Sequence, residues 1–106
     1  MKTTTAGTII LTSLCLCMLT VSSAHADGQD IFISKCGACH RTGGEALAFA
    51  PTKYASLQWA RFFERNKHNR KKDISSDFTP NELELVKNYL MAHAADSDQP
   101  VAIGLR

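Results

Sequence analysis

The residues with the most chemical content are Cys36-Gly37-Ala38-Cys39-His40. Two thiols separated by two residues, with an imidazole next in line, suit one reaction well. Each thiol adds to one vinyl group of a haem, and the histidine then lies under the iron as a ligand. Gly37 and Ala38 are small, so the backbone can pass close to a porphyrin edge. Three other chemistries use similar residues. A thioredoxin-like dithiol pair needs βαβ surroundings, and no stretch of this chain shows convincing strand alternation. A structural zinc site needs four ligands, and the only other cysteines, Cys15 and Cys17, lie near the N-terminus. A Cys36–Cys39 disulfide is open on spacing alone, but it leaves His40 without a role. The motif therefore points to one haem c, covalent through Cys36 and Cys39, with His40 as an iron ligand.

Covalent attachment of this kind occurs outside the cytoplasm, and the N-terminus agrees. Met1-Lys2 is a short positive start. An apolar stretch from Ile9 to Val21 follows, and Ala24-His25-Ala26 has the small-x-small pattern of a signal-peptidase site. Residues 1–26 are read as a signal peptide, removed on export to the periplasm or the extracellular space. A retained anchor would need about 20 apolar residues, more than this stretch offers. Loss of Lys2 leaves eleven basic and ten acidic residues, a formal charge of +1 against +2 for the whole chain. That balance does not suggest nucleic acid as a partner. No second hydrophobic span follows, so no membrane contact is expected after cleavage. The remaining 80 residues make one small domain, of a size that often needs a disulfide, a metal or a cofactor to complete its core.

Three helices are expected to position the motif. The first spans about Gly28 to Lys35, capped by Asp27, with Ile31 and Phe32 apolar, and it leads straight into Cys36. The second lies roughly between Ala55 and Asn66, with Ser56 as its cap. Trp59, Phe62 and Phe63 fall at i, i+3 and i+4, one aromatic stripe that serves as core and as a wall for the haem. The third begins at Thr79-Pro80-Asn81-Glu82, a capping box with proline at the first helical position. Leu83, Val86, Tyr89 and Leu90 form its apolar face, and it is expected to end near Ala95. A loop containing Gly43-Gly44 and Ala50-Pro51 joins the first two helices. The fold class is all-α: a domain over 27–95, wrapped around the haem, with a tail over 96–106. Val101–Arg106 fits either a loose end or a strap.

This order of a short helix carrying Phe32, the Cys-x-x-Cys-His motif, a loop to Pro51 and a last helix with Tyr89-Leu90 resembles class I cytochromes c. The resemblance covers nearly all of the expected domain. It implies a small cytochrome c-like fold whose terminal helices cross, with an aromatic from each at the crossing. It also implies that the Pro51 carbonyl accepts the N–H of the proximal imidazole, and that the protein carries electrons. The chain departs from that pattern in having no methionine just before the last helix, where the family places its distal ligand. In this respect it is similar to a smaller group of monohaem c-type proteins with a histidine or asparagine distal ligand. Some of these bind oxygen or nitric oxide. They often carry an extra disulfide, which this chain lacks.

His68 is the expected distal ligand. Apart from His40, the domain offers His68, His93 and a single methionine, Met91. At roughly 100° per residue, Leu83, Val86, Leu90 and His93 share one face of the third helix, while Met91 points away from it. His93 lies near the end of that helix. His68 stands in the connecting segment where both resembled groups place the ligand. The same region is strongly charged. Residues 53–72 hold seven basic side chains against Glu64, and residues 73–98 hold six acidic ones against Lys87. Such a dipole is expected to orient docking of an acidic redox partner near the basic 53–72 segment. Electron transfer without organic catalysis is the leading expectation. Binding of a small ligand such as oxygen, nitric oxide or carbon monoxide, through a labile distal ligand, is the alternative.

Overall fold

A computed structural model describes residues 27–106; the expected signal peptide, residues 1–26, lies outside the described residues. Those described residues are helical and contain no strand. Helix α1 spans Gly28–Ile31 and continues as a π-helical turn, Phe32–Cys36. Asp27 caps it as expected, its carboxylate accepting the Asp30 N–H at 2.9 Å. Helix α2 spans Ser56–Glu64 and helix α3 Pro80–Ala92. Single 3-10 turns form at Pro51–Lys53 and His68–Arg70.

The capping box of α3 is present in full. The Thr79 hydroxyl accepts the Glu82 N–H at 3.1 Å, and the Glu82 carboxylate accepts the Thr79 N–H at 2.9 Å. The far end of α3 differs from expectation by three residues. Ala95 donates its N–H to the Tyr54 carbonyl instead of continuing the helix, at 3.1 Å. A tertiary acceptor thus replaces the helical one. Helix α2 is also shorter than expected. Asn66 takes φ = 48°, a left-handed conformation that asparagine tolerates better than most residues, and this turns the chain away. Nor is Ser56 the cap of α2. Ala55 occupies that position, with its N–H held by Gln58 Oε1 at 2.8 Å. The Ser56 N–H instead donates to Asp96 Oδ1 at 2.7 Å, from forty residues away.

Helix α3 packs against both α1 and α2. The α1 contact centres on Gly28. A Cβ there would lie 2.6 Å from Cβ of Tyr89 and would collide with the Leu85 carbonyl. Only glycine lets the two backbones approach this closely. One aromatic from each helix meets beside the crossing: the Phe32 and Tyr89 rings are 5.6 Å apart. Ile31, Phe32, Trp59, Val86, Leu90, Ala94 and Leu105 form the buried core. Leu105 reaches it because Val101–Arg106 is a strap. Its Leu105 N–H donates to the Phe49 carbonyl at 3.1 Å, the Val101 carbonyl accepts from Thr52, and the Val101 N–H donates to His93. Around this small core Phe49, Tyr54, Phe62, Phe63, Phe78 and Tyr89 are only partly buried.

Candidate functional site

The cysteine motif follows directly from the π-helical turn. The Cys36 carbonyl accepts N–H groups from both Cys39, at 3.3 Å, and His40, at 2.9 Å. This tight turn brings the two thiols and the imidazole to one end of α1. Both cysteines are free thiols. Burial pushes the Cys36 thiol up to about 11, only partly opposed by its own backbone N–H. A dithiol redox pair relies on the opposite shift, toward the thiolate. Among the described residues, no three or more His, Cys, Asp or Glu side chains gather as a metal site. A porphyrin asks less of the protein, because it already supplies four nitrogens in a plane and leaves only two axial positions to fill.

Two imidazoles lie close together beside the motif. His40 Nδ1 lies 2.8 Å from the Leu47 carbonyl, and His68 Nδ1 lies 2.9 Å from the Lys72 carbonyl. A carbonyl only accepts, so Nδ1 donates in each ring, and the bond fixes the ring's orientation. The two rings are 6.0 Å apart between centroids and inclined at 81°. The two free thiols and the nearby imidazoles are the residue types that would hold a c-type haem.

Aromatic side chains close a circuit around the pair. His40 meets Phe49 at 4.9 Å, Phe49 meets Trp59 at 5.7 Å, Trp59 meets Phe62 at 5.9 Å and Phe62 meets His68 at 6.5 Å. Of the expected wall residues, Trp59 is buried behind the others and Phe62 is half-buried beside His68. A cleft of about 460 Å³ opens on the His68 side, lined by Phe62, Phe63, Ile74 and Leu83 among others.

The Pro51 carbonyl does not accept from His40 in this structure. Its carbonyl accepts the Trp59 indole N–H at 2.8 Å, and Leu47 supplies the carbonyl for His40 instead. The reason is local: the short bridge between His40 and Ala46 folds the loop back on the motif, so Leu47 arrives first. The two other distal candidates lie elsewhere. Met91 lines a separate surface groove with Ser56 and Asp96. His93 packs on Tyr89 at 4.8 Å and bonds the Gln99 carbonyl at 2.7 Å.

Sequence reasoning missed Phe49, Leu47 and Glu45. All three lie in the 41–50 loop, where no periodicity marks a side chain as inward. Glu45 joins the site through charge. Its Oε2 lies 3.2 Å from Lys72 Nζ and 3.9 Å from Cys39 Sγ. The Lys72 ammonium is held above its ordinary value, first by this hydrogen bond and then by the charges of Glu45 and Cys39. No family model, curated protein or solved structure matches the chain.

Proposed function

We propose that this protein is an exported c-type cytochrome, carrying one haem through Cys36 and Cys39 with His40 and His68 as axial ligands. Single electrons then pass between partner proteins in the periplasm or the extracellular space. The observation that carries this reading is the pair of imidazoles 6.0 Å apart, each with Nδ1 tied to a carbonyl, beginning one residue after a Cys-x-x-Cys pair. Bound there, the haem iron supplies a one-electron ferric/ferrous couple. The chain's own residues do the rest. The Leu47 and Lys72 carbonyls orient the two rings. Phe49, Phe62 and Trp59 keep water from one side. The cations of residues 53–72 favour the ferrous state or pair with the haem propionates, and they attract an acidic redox partner. No residue is assigned a catalytic role.

A second reading, reversible binding of a small ligand such as oxygen, nitric oxide or carbon monoxide, has its own support. His68 sits on a single 3-10 turn, flanked by exposed Lys67, Asn69 and Arg70, and such a turn can swing away at little cost. Intact mass and optical spectra test both. The exported protein is expected to begin at Asp27 and to exceed the bare chain by one haem, with a low-spin ferric spectrum. A mass equal to the bare chain refutes both readings. Rapid carbon monoxide uptake by a high-spin reduced form selects the second over the first.

A further inference from the structure

The two candidate ligands belong to two separate hydrogen-bonded units. On one side, the Ala46 N–H donates to the Cys39 carbonyl at 3.0 Å, and the next residue, Leu47, holds His40 Nδ1. Glu45 sits inside this unit. On the other side, His68 and Lys72 are tied twice. The Lys72 N–H donates to the His68 carbonyl at 2.9 Å, and the His68 ring donates to the Lys72 carbonyl at 2.9 Å. A movement of Lys72 therefore moves the His68 ring. Among the described residues, one ion pair joins the two units: Lys72 Nζ to Glu45 Oε2 at 3.2 Å. The other two pairs, Lys35–Glu82 and Lys87–Glu84, do not connect these two units.

We infer that the Glu45–Lys72 ion pair is a latch that holds the distal segment over the proximal loop and thereby sets how readily His68 leaves the iron. This rests on the reading of His40 and His68 as axial ligands. Both members are positioning residues, since neither reaches the iron. The side chains of Lys72 and Glu45 are 59% and 75% exposed, so salt screens the latch. An exposed pair is weak, which suits a contact that tunes ligand lability without locking it. High ionic strength, or a partner whose own acidic group competes for Lys72, opens the latch and favours exchange at the distal position.

The test uses the haem-loaded, reduced protein mixed with carbon monoxide, whose uptake is limited by departure of His68. Glu45→Gln and Lys72→Met are each expected to speed uptake roughly 1.5- to five-fold at low salt. The double variant is expected to be no faster than either single one. Exchanging the charges, Glu45→Lys with Lys72→Glu, is expected to restore slow uptake. Added salt is expected to raise the native rate to that of the variants and to leave theirs unchanged. Native-like rates in both single variants, or additive effects in the double, overturn the latch alone if the native ferric spectrum is low-spin and depends on His68. Absence of haem, or a low-spin spectrum that survives His68→Ala, overturns the latch and the ligand assignment together.

Discussion

At the scale of single residues, the decisive feature is the state of two imidazoles. Each ring donates through Nδ1 to a backbone carbonyl, which fixes how the ring is turned. His68→Ala is therefore expected to turn the ferric haem spectrum from low-spin to high-spin. Met91→Ala is expected to leave it unchanged, because Met91 lines a different groove. Disappearance of a methionine–iron charge-transfer band in Met91→Ala, with no change in His68→Ala, reverses the assignment. Asn66 bears on the same ligand from the backbone. Its left-handed φ of 48° lies in the turn that follows α2, two residues before His68. Asn66→Gly is expected to be nearly neutral in urea unfolding. Asn66→Val, whose branched Cβ opposes that conformation, is expected to cost roughly 1–2 kcal/mol and to broaden the spin-state equilibrium.

Among the elements, the α1–α3 crossing and the two ends of α3 carry the most consequence. Gly28→Ala places a methyl group against Tyr89 and the Leu85 backbone. Thermal unfolding is expected to show a loss of about 1–3 kcal/mol, the usual range for overpacking. The N-terminus of α3 is bound to α1 by charge. Lys35, one residue before Cys36, donates to Glu82 and to the Asp77 carbonyl. This hydrogen bond, followed by the Thr79 backbone N–H, lowers the Glu82 carboxyl below its ordinary range. A lowered native value adds stability above the unfolded value of about 4.3, and that stability is lost as pH falls through the native value. Glu82→Gln keeps the capping box but loses the charge. Its melting temperature is expected to lie below the native one at pH 7, and the gap is expected to close in acid. A gap that is constant with pH refutes the charge term.

Over the whole molecule, the core is small for the number of aromatic rings around it. Seven buried residues are surrounded by half-buried Phe49, Tyr54, Phe62, Phe63, Phe78 and Tyr89. Under the proposed function, a porphyrin would supply the apolar surface that completes their burial. Replacing both Cys36 and Cys39 by alanine is expected to give a chain without covalent haem that is largely unfolded by circular dichroism. A fully folded, haem-free double variant refutes that view. The charge layout acts at the same scale. Arg65, Arg70, Lys71 and Lys72 are all exposed. Reversing their charge is expected to slow electron exchange with an acidic redox protein mainly through association. That effect is expected to fade near 0.15 M salt, where the screening length is about 8 Å. Rates indifferent to both salt and charge reversal assign these side chains to solvation alone.

The parts legible in the sequence are those governed by residues a few positions apart. The cysteine turn, the Asp27 cap, the Thr79–Glu82 capping box and the Trp59–Phe62–Phe63 stripe all depend on spacings of four or less, which the chain states directly. The helical character is likewise legible, from apolar spacing and the absence of strand alternation. The parts that were not legible depend on remote partners. Asp96 satisfies the start of α2 in place of Ser56, and Tyr54 takes the N–H that would have extended α3 to Ala95. Leu47, not Pro51, receives the His40 proton, and Phe49 enters the ring circuit from a loop without periodicity. Most consequentially, only the tertiary structure brings His68 within 6.0 Å of His40 and sets Glu45 against Lys72. Hydrogen bonds and ion pairs between distant segments are chosen by how the chain closes on itself, and no local pattern encodes that choice.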